Sequence, residues 1–528
     1  MTLLTPLKKD KPAHAEPSVI RHPASCHKYP SPIPSPFKRT IIRPALLLFL
    51  LLSSTSTALA DQFVCTVGGI SYSVNTTNKT ASVEHGYYIG DVVIPETITY
   101  NNTAYSVTSI GIGAFANSEL TAINIPNSVS SIGRQAFFCC YGLTSLTIGN
   151  SVSSIGDEAF YYCSGLTSVA VDKNNDTYDS RDNCNAIIQT STNRLVVGCK
   201  NTTIPNSVTT IGKDAFSGCS GLTSINIPNS VTSIGSGAFS NCSGLTSVTI
   251  PNSVTTIGEH AFHFCSGLTS VTIPNSVTST SIGECAFYGC SGLTSVIIGN
   301  SVTSIGRNAF TKCDGLTSVI VDKYNSTYDS RDNCNAIIES STNKLVVGCK
   351  NTTIPDSVTS IGNSAFEDCS ELTSVTIPNS VTSIGASAFY GCDGLTSVVI
   401  GNSVTSIGEC SFFDCSGLTK LVSLAVEPPI CGYDALEYID KSACRLFVPE
   451  ESVNKYKVAD QWEEFMHISE YDGVDDVSVD TQDTVYEVYN LQGVRVGSGM
   501  REAEITADAL PHGIYILVSL QGRKKLKI

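Results

Sequence analysis

The sequence predicts a repeat solenoid, a rod of stacked coils rich in short β-strands. An Ile-Gly-x-x-Ala-Phe motif, with minor variations, recurs through the middle of the chain at spacings of 22 or 23 residues, once 25 and twice 56. Between consecutive motifs, apolar residues alternate with Ser and Thr, which is typical of half-buried strands. One unit has too few apolar side chains to fold alone, so the units must stack on one another.

The phenylalanines of this motif, here called the repeat phenylalanines, mark eleven units of one continuous array. Each 56-residue interval is a 23-residue unit that carries a 33-residue insertion. The two insertions, 172–200 and 322–350, are near-copies of each other, 150 residues apart. The repeat phenylalanines are Phe115, Phe137, Phe160, Phe216, Phe239, Phe262, Phe287, Phe310, Phe366, Phe389 and Phe412.

The unit 245–267 shows the local structure that the pattern predicts. Its Leu-x-x-Val-x-Ile segment is a strand, a Pro-Asn pair turns the chain, and a second extended piece ends at Gly258. The residues 261–265 are expected to form a short helical or 3₁₀ turn. The positions that stay apolar in other units, and must face inward, are Leu245, Val248, Ile250, Val254, Ile257, Ala261, Phe262 and Cys265.

The consensus Leu-Thr-Ser-Val-x-Ile-Pro-Asn-Ser-Val-Thr-Ser-Ile-Gly-x-x-Ala-Phe-x-x-Cys resembles the BspA-like leucine-rich repeats of bacterial surface proteins, over residues 109–420. The resemblance implies a β-rich, right-handed leucine-rich-repeat solenoid with caps at both ends. Val or Ile stands where Leu is usual in leucine-rich repeats, so a straighter rod than a horseshoe is an alternative. By the same resemblance, the protein is expected to be a surface adhesin.

The N-terminus is predicted to be a targeting segment. Three basic residues precede an apolar run, 45–52, and small residues follow up to Ala60. This is the pattern of a signal peptide that is cleaved after Ala60. A short membrane anchor is the alternative, although the run is about half of the ~20 residues that a spanning helix needs.

The flanks of the array predict caps and an additional domain. The last 45 residues alternate apolar and polar side chains around turn glycines, which predicts a small β-sandwich. This segment resembles the C-terminal sorting domain of the Bacteroidetes type IX secretion system, and the resemblance implies contact with that secretion machinery. A structural β-domain without a sorting role is the alternative. The predicted segments are a leader at 1–60, an N-terminal β cap at 61–108, the array at 109–420, a C-terminal cap at 421–470, an acidic linker at 471–483 and the sandwich at 484–528.

Charge and motif content exclude several functions. Without residues 1–60, the chain has 24 basic and 45 acidic residues, a formal charge of −21, which argues against nucleic-acid or anionic-membrane partners. No Gly-x-Ser-x-Gly elbow or phosphate-binding loop occurs, and only five histidines follow residue 60. We therefore expect no catalytic residues, no cofactor and no enzyme activity.

Two arrangements of potential metal ligands lack a complete ligand set. His260 and His263 flank one repeat phenylalanine but have no third ligand, so they are expected to be solvated. Asp172 opens the first insertion like a calcium loop, but the second insertion has Tyr324 at a ligand position and no Glu at the twelfth place. The sequence therefore predicts surface turns and no metal site.

Of the 21 cysteines, ten stand three residues after a repeat phenylalanine, and these are expected to be small buried side chains. The cysteines of the insertions differ from these ten, because they fall opposite each other in a predicted hairpin. Cys184 with Cys199, and Cys334 with Cys349, are therefore candidate disulfides in an exported protein. Free thiols are the alternative.

Side chains next to the repeat phenylalanines vary from unit to unit and include many aromatics, whereas the outward strand positions are nearly uniform Ser and Thr. Aromatic residues among polar groups are typical of binding surfaces. The alternative is that several of them pack inward. The candidate surface stripe consists of Tyr161, Tyr162, His263, Phe264, Tyr288, Tyr390 and Phe413.

The predicted function is binding. The leading hypothesis is an extracellular or outer-membrane adhesin that contacts host matrix proteins or other bacterial cells through the solenoid surface. A passive structural component of the envelope or matrix is the alternative. Glycan binding through the regular Thr face is a third hypothesis.

Overall fold

The computed structural model describes residues 62–276, 280–471, 485–490, 495–501, 514–519 and 522–527. The predicted leader, 1–60, and the acidic linker from residue 472 onward lie outside the described residues. The described array is a solenoid with repeats of about 23 residues, as the sequence predicts.

Each coil contributes one strand to each of two faces and closes with a turn segment that contains the repeat phenylalanine. In the unit 245–267, the first strand is Ser247–Thr249 and the second is Thr256–Ile257. Along both faces, strands of successive repeat units pair in parallel with matching positions in register, such as Ser247 with Ser224. This register places identical side chains above one another along the whole array.

We call the first series of strands the long-strand face. Within the array, its inward positions are Val, Ile or Leu and its outward positions are mostly Ser or Thr. Its strands are Ile89–Val93, Glu119–Asn124, Ser145–Ile148, Ser168–Val171, Ser224–Asn226, Ser247–Thr249, Ser270–Ile273, Ser295–Ile298, Ser318–Val321, Ser374–Ile377, Ser397–Ile400, Lys420–Ser423, Arg445–Val448 and His467–Glu470.

We call the second series the short-strand face, because most of its repeat strands are Ser-Ile or Thr-Ile pairs. Its first sheet contains Gln62–Val67, Ile70–Asn75, Thr80–Val83, Thr97–Tyr100, Thr103–Ile110, Ser131–Ile132 and Ser154–Ile155. Its second sheet contains Tyr178–Asp179, Ile187–Gln189, Arg194–Val197, Thr210–Ile211, Ser233–Ile234, Thr256–Ile257, Thr280–Ile282 and Val302–Ile305. Its third sheet contains Tyr328–Asp329, Ile337–Glu339, Lys344–Val347, Ser360–Ile361, Ser383–Ile384, Ser406–Ile407 and Ile430–Cys431.

The third side of the coil, here called the turn side, differs from the predicted helical or 3₁₀ turn. His260 and Phe264 have φ values of 56° and 53°, in the left-handed region. Each lies in its own turn: the His263 amide donates to the His260 carbonyl at 3.1 Å, and the Cys265 amide to the Phe262 carbonyl at 3.2 Å. A 3₁₀ helix cannot continue through a left-handed residue, so each coil has consecutive turns at this position.

The repeat phenylalanines form the core in three stacks. All eight predicted inward positions of the unit 245–267 are buried, and Phe262 has no exposed surface. The Phe262 ring lies 5.1 Å from both Phe239 and Phe287, nearly parallel to each. The stacks contain Phe115, Phe137 and Phe160; then Phe216, Phe239, Phe262, Phe287 and Phe310; and then Phe366, Phe389 and Phe412.

The two insertions separate these stacks. Each insertion adds three strands to the short-strand face, and in the first of them Ile187–Gln189 runs antiparallel to both of its neighbours. On the turn side Gly198 of the first insertion stands where a repeat phenylalanine would, and its amide donates to the Ala215 carbonyl at 2.7 Å. Repeat phenylalanines make the equivalent bond elsewhere, as Phe216 does to Ala238. The insertion therefore widens one face more than the other and leaves a cleft on the turn side.

The C-terminal end of the array packs around the single tryptophan. Trp462 is fully buried, and its indole N–H donates to the Pro429 carbonyl at 2.9 Å. Tyr456, also buried, stands edge-on to it at 5.1 Å. The described helical segments are three 3₁₀ turns and one α-helix, at Arg181–Asn183, Arg331–Asn333, Glu450–Ser452 and Val453–Tyr456.

The last described segments form a single four-stranded antiparallel sheet, whereas the sequence predicts a sandwich of two sheets. A second layer is not among the described residues, and the sorting role stays a prediction. The strands are Val485–Asn490, Arg495–Arg501, Ile514–Ser519 and Gly522–Lys527.

Candidate binding surface

The predicted surface stripe occupies two different positions of the repeat. The first position directly follows the repeat phenylalanine and holds Tyr161, His263, Tyr288, Tyr390 and Phe413. The second position is one residue later and holds Tyr162 and Phe264. The structure gives these two positions different surroundings.

Side chains at the first position pack on the same position of the next coil. His263 and Tyr288 are stacked at 5.1 Å, and Tyr390 and Phe413 at 5.2 Å. Tyr161 stacks in the same way, on the ring of Phe138 at 5.5 Å. This position is therefore a second ladder of side chains that runs beside the phenylalanine stacks.

Three members of the predicted stripe are consequently not available at the surface. Tyr161, His263 and Tyr288 are 6%, 1% and 4% exposed, so the prediction of an exposed stripe is wrong for these residues. The prediction that His263 is solvated is wrong for the same reason. Ring stacking between coils removes them from water, and the pKa of Tyr288 is raised mainly by burial. Tyr390 and Phe413 are half-buried.

The second position has a left-handed backbone and directs its side chain outward. Phe264 is 40% exposed, and Tyr162, with φ of 60°, is half-buried. In the C-terminal cap, Tyr438 occupies the same position, with φ of 61° and 64% exposure. Tyr438 also contacts the Phe413 ring at 4.7 Å. Sequence reasoning missed Tyr438 because Leu436 replaces the repeat phenylalanine there.

Other exposed aromatics lie outside the two positions that follow the repeat phenylalanine. Tyr141 stands four residues after Phe137, where other units mostly have Ser or Asp, and it is 57% exposed. Tyr87 precedes the array and donates from its hydroxyl to Glu119 at 2.6 Å. The signal that could have found Tyr141 is an aromatic residue at a position that is polar in the neighbouring units.

The outward Ser and Thr side chains form the flat hydroxyl face that the sequence predicts. Thr246, Ser247 and Thr249 are all exposed. Many of the threonine hydroxyls are already used between coils, since Thr246 donates to the Thr223 carbonyl at 3.2 Å and Thr269 to the Thr246 carbonyl at 3.3 Å. These hydroxyls stabilise the stack, and their donor hydrogens are not available to a ligand.

The ten cysteines that stand three residues after a repeat phenylalanine are buried, apart from the half-buried Cys369. Most of their thiols also make a hydrogen bond to the neighbouring coil. The Cys265 thiol donates to the Phe239 carbonyl at 3.1 Å, and Cys242 and Cys290 make the equivalent bond. Burial raises the pKa of these three thiols well above the usual value. They act as small apolar side chains of the core, as the sequence predicts.

The predicted disulfides of the insertions are absent, because Cys184, Cys199, Cys334 and Cys349 are free thiols. The hairpin explains this result. A regular hairpin with Cys184 opposite Cys199 has Ile188 opposite Leu195 and Ile187 opposite Val196. The first of these pairs forms, but a bulge between Ile187 and Ile188 shifts the register, so that Ile187 faces Val197 instead. Cys184 precedes the strand and Cys199 follows its partner, and their thiols point to the different carbonyls of Ala186 and Asn185.

The Asp172 carboxylate accepts from the amide of Asn174 at 2.8 Å, and Asp322 accepts from Tyr324 at 2.9 Å. Both insertions thus open with the surface turn that the sequence predicts. Among the described residues, no group of three His, Cys, Asp or Glu side chains is placed to hold a metal ion. Within the same residues, no helix has the length and apolar character needed to cross a bilayer.

A comparison with protein families agrees with this architecture. The model of the BspA type leucine-rich repeat region matches the chain in six copies, over residues 95–192, 187–317, 278–345 and 336–425. The search of curated proteins found no significant match.

Several solved structures are similar to this chain. A leucine-rich cell surface protein from Faecalibacterium prausnitzii is 26% identical, with a TM-score of 0.42, over 77% of this chain and 94% of its own. A leucine-rich repeat protein from Bacteroides ovatus is 27% identical, with a TM-score of 0.38, over 68% of this chain and 94% of its own. The family model covers well over half of the sequence, so this protein belongs to the BspA-type leucine-rich repeat family.

Proposed function

We propose that this protein is an exported cell-surface adhesin that binds extracellular proteins of a host matrix or of other bacterial cells through the outside of its solenoid. Its family consists of leucine-rich repeat solenoids, which are typically not catalytic. The observation that carries the proposal is the set of aromatics at the left-handed position of the coil. Phe264 and Tyr438 are exposed there, and Tyr162, in another coil, is half-buried.

These residues have the properties of interface anchors. Aromatic side chains are enriched at protein interfaces, and a ring fixed on a turn loses little conformational freedom when a partner binds. Because the anchors lie at separate coils, one molecule offers several weak sites that a large or repetitive partner can occupy together. Avidity from such sites exceeds the affinity of each one.

Export and surface location are part of the proposal. The signal-peptide pattern before Ala60 and the sorting-like sequence after residue 484 support it. Mass spectrometry of the protein recovered from outside its native cells tests this part. We expect a chain that begins at Asp61, and a chain that keeps residues 1–60 contradicts the proposed processing.

Binding is tested with the full chain immobilised against a panel of purified extracellular-matrix proteins. We expect saturable binding of at least one of them, with affinity at least tenfold weaker for the double variant Phe264→Ala/Tyr438→Ala. The matched control is Tyr324→Ala, which removes a 72% exposed tyrosine from the second insertion, away from the left-handed positions. No binding at micromolar concentration supports a passive structural role and rejects adhesion to these proteins.

A further inference from the structure

The two insertions leave two related clefts on the turn side of the solenoid. The first has a volume of about 200 Å³ and lies between the turns of Phe160 and Phe216. The second has a volume of about 400 Å³ and lies between the turns of Phe310 and Phe366. Small-molecule sites usually have roughly 300 to 1,000 Å³, so only the second cleft has the size of such a site.

An ion pair joins the two turns that flank the second cleft. At the second junction, Lys312 Nζ lies 3.5 Å from Asp368 Oδ2, which joins the two turns. Val346 and Val347 of the insertion also line this cleft. The second cleft therefore has an apolar patch and a wall closed by an ion pair.

The clefts differ in charge although their backbones are near-copies. Positions 150 residues apart are equivalent, and the first cleft has three carboxylates, Asp157, Glu158 and Asp214, with two cations. The second has three cations, of which Lys312 is paired with Asp368, and one lining carboxylate, Glu367. The equivalent pairs whose charge changes include Asp157 and Arg307, Glu158 and Asn308, Tyr162 and Lys312, Lys213 and Asn363, Asp214 and Ser364, Ser217 and Glu367, and Gly218 and Asp368.

Several polar groups of the second cleft have no partner among the residues that the structure describes. The exposed Arg307 and the half-buried Lys344 line the cleft, and neither makes an ion pair within the described residues. Glu367 Oε2 and Ser364 Oγ are buried atoms, and neither makes a hydrogen bond to any described residue. A buried polar atom without a partner costs roughly 1 to 3 kcal/mol, so a ligand that satisfies these atoms gains from doing so.

The required ligand has a defined chemistry. It needs an anionic group for Arg307 and Lys344, and hydroxyl donors for the carboxylate of Glu367 and the hydroxyl of Ser364. A neutral sugar has no charge to match the two cations. An acidic peptide would place its carboxylates near the Glu367 carboxylate, and it has no hydroxyl groups that could donate hydrogen bonds to Glu367.

We propose that the second cleft binds a hexuronate residue of an acidic carbohydrate. The sugar carboxylate pairs with Arg307 and Lys344, its hydroxyls bond to Glu367 and Ser364, and its apolar C–H face covers Val346. This site does not depend on the proposed adhesion to proteins, because the exposed aromatics lie elsewhere.

The test is calorimetric titration of the full chain with methyl β-D-glucuronide, and separately with methyl β-D-glucoside and a short oligoglutamate peptide. We expect the glucuronide to bind at millimolar concentration, the glucoside at least tenfold more weakly, and the peptide not at all. Binding should weaken as salt is raised, since an exposed ion pair is screened. Equal binding of the two sugars, no binding of either, or binding of the peptide alone overturns the proposal.

The first cleft supplies the matched variants. In Arg307→Asp/Glu367→Ser, both new residues are those that the chain already has at the equivalent positions of the first junction, so the backbone is expected to tolerate them. We expect this variant to lose glucuronide binding at least tenfold and to keep its thermal midpoint. Arg307→Lys, which keeps the charge, should bind within threefold of the parent. Unchanged glucuronide binding by Arg307→Asp/Glu367→Ser places the ligand elsewhere and rejects this site.

Discussion

Gly198 lies so close to the ring of Phe216 that a Cβ atom on this glycine would be 2.1 Å from ring carbon Cε1. The second insertion repeats the contact, since a Cβ on Gly348 would be 2.0 Å from Cε1 of Phe366. At each junction a glycine thus takes the place of the phenylalanine that would have continued the stack. The absence of a side chain lets the next stack begin against the backbone of the insertion.

Gly198→Ala should destabilise the array at the first junction. The added methyl must displace a buried ring, and such overpacking typically costs about 1 to 3 kcal/mol. We expect a lower urea midpoint in circular dichroism. The control is Gly221→Ala, where the nearest atom to the new methyl is Cδ of the flexible Lys200, at 3.1 Å. Equal midpoints for the two variants would contradict the close packing at Gly198.

Phe239→Ala should unfold part of the array, whereas Phe264→Ala should not. Phe239 is fully buried between Phe216 and Phe262, and losing such a ring costs about 3 to 5 kcal/mol. Phe264 is 40% exposed, so its loss should cost less than about 1 kcal/mol. Thermal melts of the two variants measure the difference. A Phe264→Ala variant as unstable as Phe239→Ala would show that Phe264 belongs to the core.

Asp214→Asn should stabilise the protein at neutral pH but not in acid. The side chain is 9% exposed, and burial raises its pKa to about 6, with Glu158 and Asp157 adding to the shift and Lys213 opposing it. The folded state therefore holds the proton more tightly than the unfolded state. Stability is lost as the pH rises from about 4 to about 6, and the full cost of the charged form applies above that range.

At about 1.4 kcal/mol per pKa unit, the buried charge costs roughly 2 to 3 kcal/mol. We expect the variant to gain roughly 2 kcal/mol over the parent at pH 8 and nothing at pH 4, in urea unfolding at both values. Asp356→Asn makes the same charge change at an exposed site and is the control. A gain for Asp214→Asn that does not change with pH contradicts this explanation.

The cysteines of the array should resist alkylation until the protein unfolds. Cys242, Cys265 and Cys290 are fully buried with raised pKa, so iodoacetamide at pH 8 should leave them unlabelled in the native protein. In guanidinium without reductant, all three should be labelled. Peptide mass spectrometry measures both states.

The same experiment tests the insertions. Cys184 and Cys199 should also be labelled in guanidinium without reductant, because the structure has them as free thiols. If they are labelled only after reduction, the disulfide that the sequence allowed does form.

The sequence-based prediction of the candidate surface did not separate its buried from its exposed positions. Tyr161 and Phe264 both vary between units and both follow a repeat phenylalanine, yet one is 6% exposed and the other 40%. The difference arises from the left-handed backbone at Phe264, which follows from how successive turns close the coil. The composition of the two positions does differ: across the eleven units the second position holds Gly three times and Asn or Asp four times, as left-handed backbone favours, whereas the first position holds none of these residues.

The sequence by itself determined the solenoid, its repeat length and its inward positions, because a pattern repeated eleven times specifies the same local structure at each copy. Phe262 and Cys265 were predicted to be inside, and both are fully buried. Only the tertiary structure decided what the insertions do. The bulge beside Ile187 separates Cys184 from Cys199, and the short turn at Gly198 opens a cleft next to Phe216. Both features depend on how an irregular segment meets its neighbouring coils, and that contact is not encoded in any local pattern.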